Sequence, residues 1–215
     1  MPSSTAAKPA WPSPGRFALA LLLAFTPTLI AAWVWGQALM TALLPLTHSL
    51  LGWLDDRFGI LFLGVTHDKQ DSIVRLRVGI TQLFVMGGQA IEAQPQGWME
   101  VTTTLGAMLQ PLVIAPALAA ALPGRLVQRI TRFGIAALLA LGFLILDLPL
   151  TLYAYVWDML VDSLDPTGLS PLLAWHEFLH AGGRLGMGVL LGLLAWRIEG
   201  ILRGRSSTQQ ASPPP

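Results

Sequence analysis

The sequence predicts an α-helical integral membrane protein with about four transmembrane helices and a small extracytoplasmic β-rich segment. Three observations predict it. Of 215 residues, 53% are hydrophobic and only 12% charged, where a soluble domain carries about 25% charged residues. Four apolar stretches are long enough to span the roughly 30 Å hydrocarbon core of a bilayer. Between the first two of them the pattern switches to strict alternation, the mark of a half-buried strand.

Residues 1–16 are rich in Pro, Ser and Ala and carry Lys8 and Arg16. They predict a disordered cytoplasmic tail. Residues 17–40 (FALALLLAFTPTLIAAWVWGQALM) form the first span. A signal peptide is its rival, since a basic start followed by LALLLAF suits one. The apolar run continues through Trp33 and Trp35 without a clear small-residue cleavage site, so an uncleaved anchor is expected.

Residues 41–104 are expected outside the membrane. Leucines at 43, 44, 46, 50, 51 and 54 predict an amphipathic helix lying at the outer interface, ending near Asp55 and Asp56 and kinked off the first span by Pro45. Val74 to Thr81 alternates as a strand, with Gly59 to Thr66 as its partner across a turn at residues 67–71. Gln89–Gln94 and Trp98–Thr104 form a second expected pair, joined by the turn signal Pro95-Gln96-Gly97. His67 is expected to be a turn residue.

The second span covers 105–122, the third 133–156 and the fourth 174–196. Residues 123–132 form a basic loop with Arg125, Arg129 and Arg132. Residues 157–173 form a loop with Asp158, Asp162 and Asp165 and no cation. Residues 197–215 form a basic tail. The positive-inside rule therefore places both termini in the cytoplasm. Trp157, Trp175 and Trp196 are expected at the interfaces. The net charge of +1 gives no basis for nucleic-acid binding, and the absence of cysteine excludes disulfides and thiolate chemistry.

Chemistry concentrates in the last two spans. An ionisable residue in hydrocarbon is costly and marks a candidate site. Asp147 is the only charge of the third span, about 15 Å inward of Trp157 at 1.5 Å per residue. Arg184 lies about 13.5 Å inward of Trp175 by the same rise. A short connection makes the two helices antiparallel neighbours. A structural ion pair is expected, and the sharper alternative is an anion site at Arg184 reached from outside.

His176, Glu177 and His180 spell H-E-x-x-H, and Arg184 continues the same face. In a zinc protease two such histidines bind metal, the glutamate activates water and a third ligand completes the site. In the extended motif the last position falls on Gly186, which cannot bind metal. Asp147 is the remaining candidate third ligand. The favoured expectation is no metal or cofactor, with zinc at His176, His180 and Asp147 and Glu177 as base the alternative. Gly182, Gly186, Gly188 and Gly192 form small-x-x-x-small pairs, predicting a helix-packing face.

An N-terminal anchor comes first, then an apolar stretch ending in GILFLGVTHDKQDSIVRLRV. A helical hairpin around LPGRLVQRITRF follows, then an acidic loop and a last span leaving through AWRIEGILRGR. This layout resembles the exosortase H-associated membrane proteins. Those are small bacterial inner-membrane proteins associated with an exosortase of the protein-sorting type. The resemblance implies a bacterial inner membrane and an exosortase-type integral membrane partner beside the lipid bilayer, and it carries over no catalytic residue. Exosortases use a membrane cysteine, so this chain is not one. The expected function is a non-enzymatic accessory or scaffold. The alternatives are a zinc-dependent intramembrane metalloprotease and a small-solute or ion-conducting protein.

Overall fold

A computed structural model describes residues 13–68, 71–93, 97–164 and 170–209. Helix α1 (Pro14–Leu54) leads into strands β1 (Phe58–Asp68), β2 (Asp71–Ile80), β3 (Phe84–Met86), β4 (Gln89–Ile91) and β5 (Met99–Thr104). Helices α2 (Leu105–Ala121), α3 (Leu126–Leu164), α4 (Pro171–Phe178) and α5 (Arg184–Gln209) follow. Three helices are long and apolar enough to cross a membrane: α1, α3 and the run from Pro171 to Arg203. The fourth apolar helix, α2, is shorter at 17 residues.

Two contacts fix the helix register. Gly36 of α1 faces Leu109 of α2, where a Cβ would come within 2.5 Å of the leucine. Gly188 and Gly192 of α5 lie against Ile114 and Ala115 of α2. Residue numbers thus rise together on α2 and α5, while α3 runs against both. Gly36, Leu109, Asp147 and Arg184 share one level.

The surface changes character at that level. Below it, the exposed side chains of α1 from residue 18 to 35 are apolar except Thr26, whose hydroxyl donates to the Leu22 carbonyl at 2.9 Å. Above it, α1 exposes the polar Gln37, Thr41, His48 and Ser49 alongside the apolar Leu46 and Trp53. On α5, residues 185–194 expose only apolar side chains and glycine. On α3, residues 147–158 expose nothing fully, because α1, the sheet and α4 cover them. The molecule therefore has two storeys. The lower one is a four-helix bundle with apolar flanks. The upper one holds the strands, α4 and the upper halves of α1 and α3.

The storeys have different interiors. Ala115, Ala119, Ala136, Ala140, Leu191 and Ala195 fill the lower one, so its helices approach closely. The upper core uses larger side chains. Val74, Leu76 and Val78 of β2 and Val101 of β5 pack on Leu148, Leu152 and Val156 of α3. Their outward neighbours, Arg75 and Arg77, both reach Glu100. This is the alternation expected of a one-sided sheet.

Four expected elements differ. Helix α1 runs unbroken through Pro45 instead of turning onto an interface. Proline removes one helical hydrogen bond, but Leu43, Leu44 and Leu51 pack on the upper core and keep the helix running. The three-stranded sheet has order β1-β2-β5, so Met99–Thr104 pairs with β2 rather than with the segment before it. Strand β4 pairs instead with β3 across Gly87 and Gly88, both at positive φ (57° and 77°). That is the two-glycine hairpin turn. The expected turn at 95–96 and part of the one at 67–71 lie outside the described residues. Finally, α3 begins at Leu126 and ends at Leu164, so Arg129 and Arg132 are helical.

Asp55 ends α1 and ties the upper storey together. It accepts from the Arg57 backbone amide (3.0 Å), the Arg57 guanidinium (2.6 Å) and the Tyr153 hydroxyl (2.7 Å). Burial alone raises a carboxyl's pKa, but these donors outweigh it and hold Asp55 below its ordinary value. Arg57 also lies over the rings of Phe84 and Trp157.

Candidate functional site

The expected fourth span is broken where its polar residues sit. Helix α4 ends at Phe178, residues 179–183 form a wide turn, and α5 starts at Arg184. Gly182 adopts φ 104°, which a residue with a side chain rarely tolerates. The Ala181-Gly182-Gly183 run supplies the freedom for this break. Gly182 and Gly186 therefore pack against no neighbour within 4 Å, whereas Gly188 and Gly192 lie tight on α2. Only the second glycine pair serves as a packing face.

Two polar stripes meet across this break. On α3, Asp147, Thr151 and Tyr155 recur every four residues and share one face. On the last segment, His176, His180 and Arg184 do the same. Arg184 donates from Nε to Asp147 Oδ2 at 2.8 Å and from its terminal nitrogen to Thr151 Oγ1 at 2.7 Å. Thr151 in turn donates to Asp147 Oδ1 at 2.9 Å. All three side chains are buried. The group is internally satisfied, and it sits at the junction of the storeys rather than deep within the apolar bundle. Trp157, from which the sequence counts its depth, packs on the upper core and stacks on Tyr153.

One turn above, His180 Nε2 lies 3.0 Å from the Tyr155 hydroxyl. The His176 ring packs edge-on against Tyr155, with centroids 4.4 Å apart, and lies 5.6 Å from the His180 ring. His176 is 8% exposed, and its Nδ1 is buried with no hydrogen-bond partner. His180 and Glu177 are exposed. Two imidazoles and a phenol thus converge at the surface of the upper storey. Among the described residues no third His, Asp or Glu joins them. Asp147, the third ligand of the alternative zinc reading, is held by Arg184 and Thr151. The sequence reading missed Tyr155, although its spacing from Thr151 and Asp147 was the available signal.

A second buried ion group closes the far end of the bundle. Arg132 donates to Glu199 at 3.1 Å and to the Pro123 carbonyl at 2.9 Å. Arg203 donates to the same glutamate at 2.6 Å. Arg132 so caps the C-terminal end of α2 while pairing α3 to α5. The sequence reading placed Arg132 in a loop and gave Glu199 no role. Their pairing follows from the antiparallel register that Asp147 and Arg184 set. About 22 Å of helix rise separates the two ion groups on each helix.

The chain matches no protein-family model, no curated protein and no solved structure.

Proposed function

We propose that the lower storey lies in a bacterial inner membrane with α1, α2, α3 and α5 crossing it and both termini in the cytoplasm. The upper storey then stands outside. Several features support this orientation. Arg16, Arg125, Arg129, Arg197 and Arg203 gather at the end away from the sheet, as the positive-inside rule expects. The about 22 Å between the two ion groups suits a roughly 30 Å hydrocarbon core with one group near each edge.

In that setting the protein acts as a non-catalytic accessory that docks an integral membrane partner of the exosortase type. The observation that carries this reading is the outward face of the sheet. Arg77 stacks over Trp98 at 4.8 Å, and both it and Arg75 engage Glu100. Trp98 and the neighbouring Leu61 are 57% and 63% exposed. Tryptophan and arginine beside exposed apolar side chains are the composition of an interface hot spot. A photo-cross-linker at residue 61 or 98 should form a discrete adduct with one integral membrane protein. Trp98→Ala should abolish co-purification of that protein without lowering accumulation of this chain. Retained co-purification would remove the sheet face from the reading.

A second reading rests on the unpartnered Nδ1 of His176. Zinc held by His176 and His180, with the Tyr155 hydroxyl nearby and Glu177 as base, would make the site hydrolytic. Metal analysis of the purified protein separates the readings. Zinc at one equivalent that is lost in His180→Ala favours the hydrolase. Glu177→Gln should leave cellular function intact if the role is accessory, and should reduce a hydrolase's rate by about two or more orders of magnitude.

A further inference from the structure

We propose that the groove between α1 and α2 seats a membrane lipid whose headgroup ends in a primary amine. The groove encloses about 640 Å³ and crosses the boundary between the storeys. That volume falls within the range of about 300–1,000 Å³ usual for small-molecule sites. Its lower wall is apolar: Phe25, Leu29, Trp33, Val113 and Ile114. Its upper rim is polar: Gln37, Asp71, Ser72, Thr104 and Gln110. This order matches a lipid standing upright, with an acyl chain beside α1 and the headgroup under the start of β2.

Charge selects the headgroup. Asp71 is exposed at the rim, and among the described residues no lysine or arginine lines the groove. An anionic headgroup would meet a carboxylate and, among the described residues, no cation. A primary ammonium would meet Asp71 directly and could donate its remaining protons to Ser72, Thr104 or the two glutamine amides.

The full-length protein in detergent should be examined by native mass spectrometry with added phosphatidylethanolamine or phosphatidylglycerol. One phosphatidylethanolamine should be retained, about fivefold more than phosphatidylglycerol, the factor that one partly exposed ion pair supplies. Asp71→Asn should erase the preference while some retention of both lipids persists. Gly106 lines the groove, and a Cβ there would meet no atom within 4 Å, so Gly106→Trp adds bulk at the groove wall. It should abolish retention of both lipids. Gly134→Trp, on an open face of α3, is the control and should change nothing. Equal retention of the two lipids by the wild type, or a preference that survives Asp71→Asn, overturns the proposal. So does retention that survives Gly106→Trp. Release of a co-purified membrane protein by Gly106→Trp, with lipid retention unchanged, would assign the groove to a helix. If Gly106→Trp does not accumulate, the Asp71→Asn comparison decides alone.

Discussion

The two storeys reach a packed interior by opposite routes. The upper one buries leucine, valine and phenylalanine between a sheet and two helices. The lower one buries alanine and glycine between four helices. In water, apolar burial stabilises by about 25 cal/mol per Å². In lipid that driving force vanishes, and close approach plus interhelical polar contacts take its place. The side-chain sizes follow this division, and so do the two interhelical ion groups, one at each rim of the small-residue bundle. In the proposed orientation a single helix, α3, serves both regimes and changes its interior residues at Asp147.

The largest expected effects lie at the ion groups. Breaking a buried pair from one side leaves an uncompensated charge and costs about 3–5 kcal/mol. Asp147→Asn and Arg184→Gln should each lower membrane accumulation and thermal stability. The double change should recover part of the loss. Glu199→Gln with Arg132→Gln should recover less, since Arg132 also caps α2 and Arg203 also pairs with Glu199. Equal recovery at both rims would show that neither contact contributes.

Truncation in the storeys sharpens the contrast. Leu76→Ala empties a fully buried site in the upper core and should cost about 2–5 kcal/mol. In the lower storey enlargement is the damaging change. Gly192→Leu should separate α5 from α2, where even a Cβ would come 2.9 Å from the Ala115 carbonyl. The helix break gives a smaller, paired test. Gly182→Ala should cost about 1–3 kcal/mol through its positive φ, while Gly186→Ala, in open space, should be neutral. Thermal unfolding in detergent reads all of these.

The smallest effect is a pH dependence at Asp55 in the upper storey. Asp55 has its pKa depressed, with the hydrogen bonds from Arg57 and Tyr153 overcoming burial. Its contribution is present above the unfolded carboxyl pKa, about 3.9, and is lost as pH falls through the lower folded value. Asp55→Asn should lower stability at neutral pH and flatten the acid limb of the unfolding profile. An unchanged limb would remove Asp55 from the latch.

The sequence revealed the helices better than their company. Apolar length marked α1, α2 and α3, and alternation marked β2, because each signal is local. The break at residues 179–183 was hidden, since hydropathy is blind to backbone dihedrals. The pairing of β2 with β5 was equally hidden. It depends on which strands the helices bring together, and the local turn signal at Pro95 pointed elsewhere. At the candidate site, the charges and histidines stood out. Tyr155 did not, because an aromatic in an apolar helix is ordinary until its neighbours are known.

The central claim is that the membrane boundary crosses α1 at Gly36 and leaves residues 37–54 standing in water. The chain has no cysteine, so single cysteines can be introduced cleanly. Cysteines at exposed positions 22, 29, 33, 41, 48 and 49 should be tested in intact membranes with an impermeant maleimide applied from outside. The account predicts labelling at 41, 48 and 49 and protection at 22, 29 and 33. Protection at 48 and 49, or labelling at 29, would contradict it.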